Sequence, residues 1–233
     1  MDDLAVIRAS RMFAGVPTAE LQPLLRAARR FDIRPGQPLW LQGDPVDGVY
    51  VIGEGHIKSY RVGVDGQQFA LWLFGPGDTT GEPGLFLPAG FRGTSNEAVE
   101  RTFGIVISGP AFLDFIDHHP LVNRRVLQRL SEMLRDSLTM PSEMAYLDIP
   151  GRVARKLLEL AAIHGKPSSG ATRIGIRISQ GTLAEMVAAS RENVNRSLAP
   201  LLSGGIVSHE GGYFTILDME RLRTHARVEP GLD

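Results

Sequence analysis

Cysteine is absent from the 233 residues. That excludes disulfides, thiolate-held iron–sulfur clusters, CxxC zinc sites and a cysteine nucleophile. Long apolar runs are absent as well, and nothing approaches the roughly 18 residues of a membrane span. The acidic opening Met1-Asp2-Asp3-Leu4 lacks the basic start of a signal peptide, so a cytoplasmic protein without membrane association is expected. Walker A, GxSxG and complete GxGxxG patterns do not occur, and no enzyme is expected. His118 and His119 are neighbours; on a helix they point about 100° apart and cannot easily share a metal. They read as surface residues ahead of Pro120, and no metal site or obligatory cofactor is expected.

What is present divides unevenly. The length allows one or two compact domains. Residues 1–148 carry a net charge of −4 and residues 149–233 a net of +3, within an overall −1. An acidic body with a basic last third suggests two regions with different partners. Residues 36–109 hold 15 of the 26 glycines. These glycines separate short alternating runs: 38–41, 48–52, 56–62, 69–74, and Glu97 through Ile107. Such spacing predicts an all-β barrel or sandwich. Asp65-Gly66 and Gly75-Pro76-Gly77-Asp78 are turn signals. Residues 4–30 read as short helices, with Thr18 as a candidate N-cap.

From Pro110 the period becomes helical. Val126, Leu130, Met133, Ser137, Met140, Met144 and Leu147 alternate spacings of four and three, the seam of two helices pairing along their length. Leu127 and Leu134 lie beside that seam and are expected to pack on the helix's own β domain. The alternative is an amphipathic helix buried within one chain. Pro141 removes a helical N–H and crowds the preceding turn, which predicts a kink or restart near 138–142.

A second domain opens at Pro150-Gly151-Arg152. A helix runs from Val153 towards Gly165, then a polar loop 166–172 and a strand-like Ile174–Ile178. Ser179 caps a helix to Val187, and a second helix starts at Ser190. Ile206–His209 and Tyr213–Ile216 form a hairpin around Glu210-Gly211-Gly212. Residues 227–233 read as a frayed tail. Helix, turn, helix, hairpin is a winged helix-turn-helix. Leu183, Val187, Val194 and Leu198 face inward, and Ala188 occupies a turn position that wants positive φ, at a cost of about 1 kcal/mol. Arg191, Glu192, Asn195 and Arg196 share the outer face of the second helix, behind Ser190. Arginine can grip guanine O6 and N7, and glutamate can accept from cytosine N4. The alternative is a solvated helix face with one local ion pair.

A second constellation is Gly81-Glu82-Pro83-Gly84-Leu85-Phe86, ending at Arg92-Gly93-Thr94. A glycine-rich turn can present N–H groups to an anion, Arg92 can neutralise a phosphate, and Glu82 can accept a sugar hydroxyl. A structural Glu82–Arg92 ion pair is the alternative.

In this order the motifs resemble the cyclic AMP receptor protein/FNR family of bacterial transcription regulators. The resemblance runs through Arg34-Pro35-Gly36, Gln42-Gly43-Asp44, Tyr50-Val51-Ile52, Gly77-Asp78, Gly81-Glu82, Arg92, Leu147 through Arg152 and Ser190 through Arg196. It implies an α+β fold: an N-terminal β-barrel (a double-stranded β-helix or jelly-roll cyclic-nucleotide-binding domain), a long dimerisation helix and a C-terminal winged helix-turn-helix. The corresponding ranges are 1–118, 119–147 and 148–233. It further implies a homodimer that reads double-stranded DNA with palindromic TGTGA-like half-sites, and RNA polymerase as a partner. The implied effector is a cyclic nucleotide, cyclic AMP first. Gly81, Glu82, Arg92, Gly93, Thr94 and Ser137 would meet it. Gly93 stands where a hydroxyl residue is usual, and Leu138 stands where the second hydroxyl of the long helix would be. Trp72 falls beside the base pocket, to stack on a base or fill the core. Two rival readings are a regulator that needs no effector, its barrel a dimerisation scaffold, and an enzyme using the barrel as a regulatory module.

Overall fold

The computed structural model describes residues 2–88, 90–168 and 170–227, with the backbone alone for Met140, Ser142 and Glu143. The chain forms two compact units. One comprises the chain up to Arg61 and from Leu71 to Ser137; the other comprises Val62–Ala70 and the chain from Leu138 on.

The first unit opens with α1 (Asp3–Ala9), a 3-10 turn over Arg11–Phe13 and α2 (Gln22–Arg26). Thr18 does not cap α2. Its carbonyl instead accepts Leu21 N–H in a turn that precedes the helix, and Leu21 is the N-cap residue. Eight strands follow: β1 (Ala28–Ile33), β2 (Pro38–Trp40), β3 (Gly48–Glu54), β4 (Ile57–Val62), β5 (Gln68–Phe74), β6 (Thr79–Thr80), β7 (Ser95–Ala98) and β8 (Thr102–Ser108). The one-turn helix α3 (Glu82–Leu85) lies between β6 and β7. The expected single run from Glu97 to Ile107 is two strands, because the chain turns at 99–101.

The strands make two sheets of four, ordered β1-β8-β3-β6 and β2-β7-β4-β5, rather than one closed barrel. Ile33 and Ile52 from the first sheet, and Ile57, Phe74 and Ala98 from the second, fill the space between them. Gly66 (φ 80°) and Gly77 (φ 84°) take the left-handed conformation that their turns require. On the outer side of the first sheet, α1, α2 and α4 (Gly109–His118) bury Val6, Ile7, Leu24, Phe112, Phe115 and Ile116. Each such side chain contributes about 1.5–3 kcal/mol of burial. His119 is not a plain surface residue. Its ring stacks on Phe115 at 3.7 Å and its Nε2 lies 3.2 Å from Glu20, while His118 is exposed.

α5 (Pro120–Tyr146) runs 27 residues and continues through Pro141, so the expected restart does not occur. Over its first half the two faces of α5 are reversed from the sequence expectation, while Ser137 and Met144 of the expected seam are exposed. Val122 and Val126 are buried in the first unit's own core and Leu130 packs against it. Leu127, Leu134 and Leu138 are 60%, 64% and 65% exposed. Seven and four residues apart, they form their own stripe one step around the helix. Periodicity alone could not say which of two adjacent stripes the sheet would take. The side chain of Met140, in the expected seam, lies outside the described residues.

In the second unit α6 (Ile149–His164) is capped by Asp148, whose Oδ1 accepts Gly151 N–H at 3.0 Å. The polar loop expected at 166–172 is instead a hairpin of β9 (Gly165–Ser168) and β10 (Ala171–Ile174). The ladder stops at Ile174, while Ile176 and Ile178 continue the alternation into the core without pairing as a strand. Then come α7 (Gln180–Met186), α8 (Arg191–Ser203), β11 (Val207–Glu210), β12 (Tyr213–Ile216) and α9 (Met219–His225). The four strands order as β11-β12-β10-β9. Gly211 (φ 59°) and Gly212 (φ 86°) make the tight hairpin turn. Of the expected tail, Arg227 is placed by its Nη2 at 3.2 Å from Asp148, and 228–233 lie outside the described residues.

Candidate effector cavity and DNA-reading helix

Between the strands of the first unit and α5 lies a cavity of about 360 Å³. Trp40, Ser59, Arg61, Trp72, Phe74 and Thr80 line its strand side. Gly81, Pro83, Leu87, Arg92, Gly93 and Thr94 line the loop side, and Met133 and Ser137 the helix side. Five of the six residues expected around an effector therefore border one space. Glu82 is the exception: it is buried and is not among the lining residues.

Two arginines border the cavity: Arg61 is exposed, while nearly all of Arg92 is buried. Arg92 Nη1 donates to the Gly81 carbonyl at 3.1 Å, and its Nη2 to the Gly48 carbonyl at 3.0 Å and to Asp47 Oδ1 at 2.6 Å. The guanidinium lies 4.0 Å from the centre of the Trp40 ring and 5.5 Å from that of Tyr50. Its Nε has no acceptor. The ion pair is thus with Asp47, not with Glu82. Gly81 must be glycine: its φ is 101°, and a Cβ there would stand 2.5 Å from Arg92 Nη1. α3 is a single turn, so the anion preference rests on Arg92 and not on a helix end.

Burial holds the Glu82 carboxyl above the ordinary carboxylate range, against the opposing pull of the Thr79 hydroxyl, its own N–H, and the Arg129 and Arg92 charges. Its Oε1 has no hydrogen-bond partner. Burial, then the hydrogen bond to Asp47, pushes the Tyr50 hydroxyl well above its usual range. Ser137 spends its hydroxyl on the Met133 carbonyl at 2.8 Å. The Ser59 hydroxyl donates to Thr94 Oγ1 at 2.9 Å, and the Thr94 carbonyl accepts Trp40 Nε1–H at 2.9 Å. Trp72 serves both alternatives, lining the cavity and packing against the inter-sheet core.

In the second unit the turn between α7 and α8 has Ala188 at φ 48°, the conformation its position in the sequence demands. Arg152 Nη1 holds the Val187 carbonyl at 2.7 Å and so ties this turn to α6. Ser190 caps α8 by accepting Asn193 N–H at 3.2 Å. Leu183, Val187, Val194 and Leu198 are buried, as their spacing requires. Arg191, Glu192, Asn195 and Arg196 are all exposed. Arg196 Nη2 meets Glu192 Oε1 at 2.8 Å, a local pair that a DNA base could replace.

Residues 30–119 match the cyclic nucleotide-binding domain model, and residues 151–225 match the Crp-like helix-turn-helix domain model. A CRP-like cAMP-activated global transcriptional regulator of Mycobacterium tuberculosis (strain H37Rv) is 31% identical over 222 residues, covering 95% of this chain and 99% of the relative. The chain belongs to the CRP family of transcription regulators. The Cyclic AMP receptor protein of Thermus thermophilus is 29% identical, over 86% of this chain and 89% of its own. Among solved structures, the c-di-GMP responsive global regulator CLP of Xanthomonas campestris shares the fold, with a TM-score of 0.72 at 23% identity, over 86% of this chain and 99% of that one.

Membership in the CRP family makes this chain a DNA-binding transcription regulator and not an enzyme. No group of three or more potential metal ligands occurs among the described residues. No helix among them is long and apolar enough to cross a membrane. What reading the CRP-type motifs in sequence missed is the surroundings of Arg92. Asp47, just ahead of β3, and Gly48 and Tyr50 within it lie more than forty residues earlier, and no local spacing links them to Arg92.

Proposed function

We propose that this CRP-family regulator works as a homodimer controlled by a cyclic nucleotide, with cyclic AMP first among the candidates, bound in the cavity beside Arg92. One observation carries the reading: a buried guanidinium with an unpartnered Nε borders a 360 Å³ cavity that also offers the Ser59, Thr80, Thr94 and Ser137 hydroxyls. The cAMP-activated relative, aligned over almost the whole chain, supports it. Arg92 would take the phosphate, Gly81, Gly93 and Thr94 would adjoin it, and Ser137 would report occupancy to α5. Glu82 acts from behind the wall, through Gly81, unless its side chain turns on binding.

The exposed stripe Leu127, Leu134 and Leu138 is the surface where a second α5 would pack. The working division is 1–118 for sensing, 119–147 for pairing and 148–233 for DNA. Two recognition helices about one DNA turn apart, roughly 34 Å, would read a palindrome. Arg191 is assigned the outer guanine of a TGTGA-like half-site, Glu192 the opposing cytosine, and Arg196 a neighbouring base edge or phosphate, with Ser190 and Asn195 flanking. Such a regulator acts on RNA polymerase, in the cytoplasm.

The test is to titrate a labelled duplex carrying two TGTGA half-sites with the full chain, with and without cyclic AMP. Cyclic AMP should tighten binding, and Leu134→Asp should abolish the dimer in sedimentation. Equal DNA affinity in both arms, with no heat on mixing protein and nucleotide, would favour the effector-free scaffold. That second reading draws on Arg92 being already paired with Asp47 and on Ser137 being bonded to its own helix.

A further inference from the structure

Arg92 already has an anion. Asp47 Oδ1 lies 2.6 Å from its Nη2, and the arginine side chain is 2% exposed against 42% for the aspartate. The carboxylate is itself built in. Its Oδ2 accepts the Tyr50 hydroxyl at 2.8 Å and lies 3.8 Å from Arg29 Nη2. The Asp47 carbonyl accepts Gly109 N–H at 3.0 Å. The next residue, Gly48, is packed so closely that a Cβ would stand 2.0 Å from the Ile107 carbonyl oxygen. The Asp47 backbone is therefore fixed at the start of β3, while its side chain, 42% exposed, can turn away from Arg92. The guanidinium has other anchors, the Gly48 and Gly81 carbonyls and the Trp40 face, which do not depend on the carboxylate.

We propose that Asp47 is an internal counter-anion of the effector site. It neutralises Arg92 until an effector arrives, and the effector's anionic group binds in competition with it. The inference rests on the cavity being an anionic-effector site. An incoming phosphate meets a cation whose charge is already offset, so its gain is smaller than a free guanidinium would give. Asp47 thereby raises the effector concentration needed for occupancy. It is a positioning and tuning residue, not one that touches the ligand, and it is absent from the cavity wall. The opposite role, a carboxylate that only holds Arg92 in aim, predicts the opposite sign on removal, because the guanidinium would lose its alignment.

The measurement is calorimetry of the full-length wild type, Asp47→Asn and Asp47→Glu with cyclic AMP and cyclic GMP, and with adenosine as an uncharged control. Asp47→Asn should bind the cyclic nucleotide about tenfold tighter, Asp47→Glu should stay near wild type, and adenosine should not distinguish the proteins. Tyr50→Phe, which loosens the carboxylate but keeps the ring over Arg92, should shift affinity the same way and less; it carries the test if Asp47→Asn does not fold. Binding by Asp47→Asn where the wild type shows none would support the counter-anion outright. Equal or weaker binding by Asp47→Asn beside a wild type that binds would overturn it and leave the effector reading standing. No binding of either nucleotide by either protein would remove both.

Discussion

In the sheet unit the decisive charges are buried and already partnered by groups the fold supplies. Arg92 is held by Asp47 and two backbone carbonyls, and Glu82 sits behind the cavity with its carboxyl held above the ordinary range. On α8 the decisive charges stand in solvent, and the only described link among the four assigned side chains is the exposed Arg196–Glu192 pair. The first arrangement fixes its chemistry before any ligand arrives, because low dielectric makes each contact strong and each unmet group costly. The second leaves its chemistry open, because screened charges in solvent cost little to rearrange. Substitutions in the first region should therefore alter stability and ligand binding together, and substitutions in the second should alter specificity alone.

The sharpest break in that contrast is Arg92→Leu. It should lower cyclic nucleotide affinity about a hundredfold in calorimetry, since a charge-assisted contact is among the strongest single interactions available. Retained affinity would remove Arg92 from the site. Next is Glu192→Ala. A selection on random duplexes should show specificity at one position relaxed by about 1–3 kcal/mol, with the melting temperature unchanged. An unchanged motif would mean that α8 does not read sequence through this residue.

Ala188→Gly tests the turn that holds α8. With φ at 48°, glycine should stabilise the protein by about 1 kcal/mol in urea unfolding. A destabilised variant would show that the methyl group packs well enough to outweigh the strain. The smallest effect is expected for Glu82→Gln. Because burial raises the carboxyl's pKa, the folded protein keeps its proton to higher pH than the unfolded chain. Stability from this group is therefore lost as pH rises through the interval between the two. Glu82→Gln should raise the melting temperature slightly at pH 8, with the difference fading towards pH 4. A constant difference across that range would place the effect elsewhere.

How much was legible beforehand follows the same division. α8 and its four outward side chains could be read because a helix repeats every 3.6 residues and exposes what it does not bury, and Ala188 because its turn wants positive φ; that Ser190 caps α8 rather than beginning it came only with the structure. The glycine-marked strands were readable in kind, though not in closure, since the pattern of alternation does not say whether two sheets join. α5 was readable as a long helix but not in orientation. Leu130 and Leu134 are equally apolar, and only the sheet's outer face decides that the first packs and the second stays exposed. Arg92 could be named from its neighbours, but Asp47 could not, because their pairing arises from tertiary folding. Of the kink or restart that Pro141 suggested, the restart does not occur, since α5 runs on past it to Tyr146.

Both tryptophans of the chain, Trp40 and Trp72, line the cavity, and the Arg92 guanidinium lies 4.0 Å from the centre of the Trp40 ring. Indole emission responds to nearby charge and to the polarity of its surroundings. Every photon of tryptophan fluorescence from this protein therefore originates at the wall of one cavity, with no remote indole to dilute the signal. The unlabelled chain carries its own optical gauge of occupancy. Trp40→Phe and Trp72→Phe would divide that gauge into one channel for the charged end of the cavity and one for the end beside the inter-sheet core.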